Sequence, residues 1–213
     1  MREIRPYKTV WGARKALDNG GRFFNLFARA DDDVVDSAEL AKAAGAFSSG
    51  MKALLYFEMA LMGLSPDERA EVTGLFSPEL RTRYAAQRPR ILAPSGVESE
   101  GQAGVPAIVS GYPVFVENRS EFLGFIVIVV RAAVLIPIID QFDVYEVFDT
   151  PDLREPKTVI ATTRGSRRLD GVYARFGGVL KELYFDDKTG KEHGLYLEAM
   201  YYTREAWGVK REA

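Results

Sequence analysis

At 213 residues, with 47% apolar side chains, the chain is long enough to bury a substantial core without disulfide or metal staples. Its net charge of −2 supplies no global field that would draw in nucleic acid or anionic lipid. The absence of cysteine excludes disulfides, thiolate metal sites and cysteine nucleophiles, and the absence of an apolar leader stretch near Met1 leaves a cytoplasmic location as the default expectation only, the compartment itself being open.

In chain order, residues 9–17 have the spacing of a short helix, closed by the turn signal Asp18-Asn19-Gly20-Gly21. Phe23, Leu26, Phe27 and Ala30 recur at helical spacing and predict a helix over 22–30. Two chemistries then compete for the acidic run Asp31-Asp32-Asp33 and its continuation through Asp36 to Glu39. In a calcium loop with Glu39 as the twelfth-position ligand, the first and third positions fall on Ala28 and Ala30, which have no side-chain oxygen. Only Asp32 and Glu39, with Asp36 through water, remain as ligands. The ligand count therefore favours a helix start, with Asp36 or Ser37 as cap and Glu39 in the first turn, where negative charge suits the helix dipole. No metal is expected.

Helices follow over 37–47 and 51–64. The second, MKALLYFEMALMGL, is apolar nearly all round and predicts a buried helix. Ser65-Pro66-Asp67-Glu68 and Ser77-Pro78-Glu79 carry a cap and a first-turn proline each, predicting short helices over 66–75 and 78–87. Residues 1–88 are thus expected to form a helical unit, ending in a basic run of Arg81, Arg83, Arg88 and Arg90 around Tyr84. Residues 89–104, rich in Pro, Gly and Ser, are expected to link it to a β domain over 105–205, with 206–213 as a tail.

The β half opens with a strand over 105–117, in which Gly111 and Pro113 mark a bulge or an edge. Residues 122–139 are the most apolar part of the chain and long enough for a membrane span, but Arg131, Pro137 and the β-branched content oppose one. No membrane association is expected. The stretch predicts two adjacent strands, 122–130 and 134–147, buried on both faces. Further strands are expected over 157–164, 172–183 and 194–203, the last two joined by a hairpin at 186–190.

Charge is divided along this half. Residues 140–155 hold six acids (Asp140, Asp143, Glu146, Asp149, Asp152, Glu155) against Arg154, whereas 157–181 hold Lys157, Arg164, Arg167, Arg168, Arg175 and Lys181 against Asp170. Neighbouring strands could pair these charges across the sheet. Alternatively, Arg164, Arg167, Arg168 and Arg175 beside Tyr173 supply phosphate neutralisation and stacking, the requirements of single-stranded nucleic acid binding.

The glycines and alternation of Leu169-Asp170-Gly171-Val172-Tyr173-Ala174-Arg175-Phe176-Gly177-Gly178-Val179-Leu180, the closing strand Leu195-Tyr196-Leu197-Glu198-Ala199 and the opening strand with Gly111 resemble the oligonucleotide/oligosaccharide-binding (OB) fold. The resemblance implies a five-stranded barrel over about half the chain. The sequence departs from it by one strand too many before Gly171.

Catalytic constellations are missing. His193, the only histidine, lies beside a predicted loop with no second imidazole or cysteine to complete a metal or triad set. No glycine-rich phosphate loop with its lysine is present. The expectation is an α+β protein, a helical unit followed by an antiparallel OB-like barrel or strongly bent sheet. Its expected role is a non-enzymatic binding module without cofactor, with a protein partner or self-association. Single-stranded nucleic acid binding and a small-molecule enzyme or carrier, with a pocket between helices and sheet, are the alternatives.

Overall fold

The computed structural model describes residues 1–17, 34–35, 37–43, 50–129, 133–154, 157–163, 168–169, 171–187 and 190–204. The helices expected over 9–17, 37–47, 51–64, 66–75 and 78–87 appear as α1 (Val10–Leu17), α2 (Ser37–Ala43), α3 (Gly50–Leu61), α4 (Pro66–Gly74) and α5 (Pro78–Gln87), residues 44–47 lying outside the described residues. The segment 22–30 lies outside the described residues. At α4 the Ser65 hydroxyl accepts from the Glu68 amide at 3.3 Å while the Glu68 carboxylate accepts from the Ser65 amide at 2.8 Å, a reciprocal cap. Ser77 caps α5 in the same way, accepting from the Leu80 amide at 3.2 Å.

These helices enclose their own core of Leu17, Leu40, Leu54, Phe57, Leu61, Val72, Phe76 and Leu80. The rings of Phe57, Phe76 and Tyr84 meet at centroid separations of 5.2 to 6.0 Å, edge-on or tilted, as ring quadrupoles favour. α3 is apolar all round because it serves two cores. Leu54, Phe57 and Leu61 face the helices, and Leu55, Met59 and Ala60 pack with Ile108 and Tyr201 of the sheet. Close approach there requires Gly177, since a Cβ at that position would lie 2.2 Å from the Met59 sulfur.

The strands are β1 (Arg2–Glu3), β2 (Arg90–Leu92), β3 (Pro106–Val129), β4 (Ala133–Phe148), β5 (Lys157–Thr163), β6 (Ala174–Asp187) and β7 (Gly190–Arg204). Five of them pair in a ring: β3 with β4, β4 with β5, β5 with β7, β7 with β6, and β6 back to β3. Val109, Tyr145, Val147, Ile160, Phe176, Leu180, Leu197 and Tyr202 belong to the core inside it. The expected antiparallel sheet is corrected to a mixed one. β5 runs parallel to β7, and the short β1 and β2 add parallel pairings to β7 and β3. Alternating polarity reports which residues share a face, not which way a neighbour runs.

A second correction concerns strand count. The predicted strands 105–117 and 122–130 are a single strand, β3, of 24 residues, with register shifts at Phe115/Glu117 and Phe122/Gly124 that absorb the extra residues. Gly111 continues this strand where a Cβ would lie 2.4 Å from the Phe148 carbonyl oxygen. The merger removes the supernumerary strand. Between β2 and β3, within the stretch expected to be a linker, a 3-10 turn (Pro94–Gly96) leads into α6 (Val97–Glu100). Leu92 and Val97 are buried in the core of the ring.

Candidate interaction surfaces

β3 and β4 are longer than the ring they build. β6 pairs with β3 over residues 106–111, β2 with β3 over 107–109, and β5 with β4 over 142–148. Beyond these limits, residues 120–129 and 133–141 pair only with each other among the described residues. The result is a two-stranded ribbon, roughly 30 Å long at about 3.3 Å per residue. Its two outer edges carry no strand partner among the described residues. In the sequence, 122–139 contain one charged residue, Arg131. Among the described residues, pairing in this distal half is confined to the hairpin itself. A lone two-stranded ribbon is marginally stable in water, and an open apolar edge is a template for another strand.

Two further groups of side chains lie on opposite faces of β3, Tyr112 on one and Phe115, which packs against the core of the ring, on the other. The Gly171 amide donates to the Pro113 carbonyl at 2.9 Å, which holds the segment before β6 against this strand. Tyr173, one of the sequence candidates, meets Tyr112 edge-on at 5.2 Å. Arg175 stands on β6 opposite Ser110 of β3 and Thr203 of β7. The exposed Arg168 sets its guanidinium 4.2 Å from the centre of the Phe115 ring, a cation–π distance. Phe115 in turn meets the buried Tyr145 at 5.6 Å. Arg164 and Arg167 lie outside the described residues. The sequence reading missed Tyr112 and Phe115. Their signal was available in Tyr112-Pro113-Val114-Phe115, two aromatics flanking a proline within a strand.

Part of the charge division resolves into pairs between strands. Lys157 of β5 lies 2.8 Å from Glu146 of β4, and Lys181 of β6 lies 2.5 Å from Glu198 of β7. Hydrogen bonding to Glu198 raises the pKa of Lys181 and keeps it charged. The outward positions of β4 and β5 therefore combine half-buried Phe142, Val144, Val159 and Ala161 with a neutralised ion pair.

Of the calcium candidates, Glu39 stands in the first turn of α2, the helix-start position, and Asp32 and Asp36 lie outside the described residues. His193, expected beside a loop, is opposite Tyr184 in the β6–β7 pairing, which runs to Asp187 and Gly190. No helix among the described residues is long and apolar enough to cross a membrane.

Glu58 is the functional-looking residue the sequence reading passed over. It is the only acid in α3 and is 1% exposed. Its two carboxylate oxygens accept from the Tyr84 hydroxyl and from Arg88 Nη2, the latter at 2.9 Å. Burial pushes the Tyr84 phenol well above its usual range, and the hydrogen bond to Glu58 adds to the effect. The bond to Glu58 raises the Arg88 guanidinium further.

No protein-family model matches the chain, and no curated protein sequence matches it significantly. Among solved structures, the N-terminal domain of an archaeal MCM is similar at 13% identity and a TM-score of 0.43, over 81% of this chain and 86% of that one.

Proposed function

We propose that the chain is a non-enzymatic interaction module that self-associates through the β3–β4 ribbon. The observation that carries this reading is the ribbon's pairing: residues 120–129 and 133–141 pair only with each other among the described residues, in the most apolar stretch of the sequence. Two such ribbons from separate copies can satisfy one another's edges by strand addition, which supplies backbone hydrogen bonds and removes apolar surface from water together. Arg119 pairs with Phe142, so residues 120–141 can be replaced by Asn-Gly, a two-residue turn that suits a hairpin. Sedimentation of the full chain over a range of concentrations should show reversible association. The shortened chain should be monomeric with an unchanged near-ultraviolet spectrum. A full chain that stays monomeric at every concentration overturns the proposal.

A second reading has its own support. The connectivity β3–β4–β5–β7–β6, with the one parallel contact in the ring between β5 and β7, is the arrangement expected of an OB barrel. Arg168 on Phe115, and Tyr112 with Tyr173 and Arg175, offer stacking surfaces and cations for a single strand. Anisotropy of a labelled single-stranded oligonucleotide should then rise with protein, fall steeply with salt, and weaken on Arg168→Ala plus Tyr173→Ala. Absence of binding at low salt removes this reading.

A further inference from the structure

We propose that the cleft between α4 and the end of α5 binds a phosphate group. The cleft has a volume of about 360 Å³ and is lined by Pro66, Arg69, Ala70, Thr73, Tyr84 and Arg88. It is independent of the ribbon and of the aromatic groups along β3, and it brings Arg88 of the basic run around Tyr84 together with Arg69 of α4.

Both arginines are held in place by a bond that leaves much of the guanidinium unused. Arg69 donates through Nε to the Leu64 carbonyl at 3.1 Å, past the end of α3. Arg88 donates through Nη2 to Glu58 at 2.9 Å. Among the described residues these are their only hydrogen bonds, so Nη1 and Nη2 of Arg69, and Nε and Nη1 of Arg88, remain as donors. A guanidinium fixed at one nitrogen has already lost most of its rotamer freedom, which lowers the entropic cost of holding an anion. Planar forks of this kind match phosphate oxygens.

The Thr73 hydroxyl and the Tyr84 phenol also line the wall, but each already donates its proton, Thr73 to the Arg69 carbonyl at 3.0 Å and Tyr84 to the Glu58 carboxylate, so the two guanidiniums are the donors left for the anion. Glu58, beneath the floor, cancels one positive charge, so the two guanidiniums and the carboxylate leave a net charge of +1. That balance fits a compact phosphate held by charge-assisted hydrogen bonds rather than a long polyanion. The closest members of the basic run outside the cleft are engaged elsewhere: Arg81 donates to the carbonyls of Gly74 and Phe76, and Arg83 to Gln87.

The test is titration of the full chain with inorganic phosphate at constant ionic strength, following the side-chain Nε resonances of Arg69 and Arg88. Saturable shifts at both arginines are expected. Ala70→Glu places a carboxylate in the cleft from an exposed helical position and should weaken phosphate by about tenfold or more, equivalent to about 1.4 kcal/mol. Arg69→Gln should do the same with the helical circular dichroism unchanged. Shifts that do not saturate, or that Ala70→Glu leaves untouched, overturn the proposal. A nucleoside monophosphate titrated alongside separates two sources of the same group: tighter binding than inorganic phosphate assigns a nucleotide phosphate, and equal binding assigns the free ion.

Discussion

Glu58 and Arg88, thirty residues apart in sequence, are joined by a 2.9 Å bond that ties the middle of α3 to the end of α5. The Glu58 carboxylate is buried, whereas the Arg88 side chain is 51% exposed. Removal of the arginine leaves a buried charge with the Tyr84 hydroxyl as its remaining partner. Arg88→Ala should cost about 2 kcal/mol, less than a fully buried pair because the lost cation faces water. Glu58→Leu combined with Arg88→Ala should recover part of that loss. Urea denaturation of the two variants checks both statements.

Contact between the helical unit and the ring depends on Gly177 facing Met59. Gly177→Ala should destabilise the chain by about 1–3 kcal/mol through overpacking. Met59→Ala in the same chain should give back part of the loss, since it vacates the space the new methyl needs. The pair is non-additive by construction, and a double-mutant cycle in urea measures the coupling.

Ser65 and Ser77 each cap a short helix with a proline in the first turn. Ser65→Ala removes a reciprocal cap and Ser77→Ala a single one. Each should lower stability by about 1 kcal/mol, with Ser65 the costlier of the two. Thermal unfolding monitored at the helical band checks the order.

Burial pushes the phenols of Tyr7 and Tyr201 from 10.0 up to about 12. The folded chain thus keeps protons that the unfolded chain loses above pH 10. Stability from this source is fully present below pH 10 and falls as the pH rises to about 12. Urea midpoints should decline through that window, and Tyr7→Phe with Tyr201→Phe should make the decline shallower.

Helices α4 and α5 were legible to within a residue because caps are local: Ser-Pro-Asp-Glu satisfies its own amides whatever surrounds it. The all-round apolarity of α3 announced burial. It did not announce that Glu58 inside it is matched by Arg88 and Tyr84, because a partner thirty residues away leaves no local mark. Tyr173 and Arg175 were singled out in the sequence, whereas Tyr112, which meets Tyr173 edge-on, was not. The strands 105–117 and 122–130 were divided at the polar residues Asn118, Arg119, Ser120 and Glu121. These break patterns locally, but the pairing with β4 carries β3 through two register shifts.

The sequence by itself determined the helical first half, the β-rich second half, the short capped helices and the apolarity of 122–139, all properties of spacing and composition along neighbouring residues. Only the tertiary structure decided that β5 lies parallel to β7, that five strands pair in a ring, that Arg88 serves a buried carboxylate, and that the distal ribbon pairs with itself alone among the described residues. Those outcomes depend on which distant segments meet, and no single stretch of the chain encodes them.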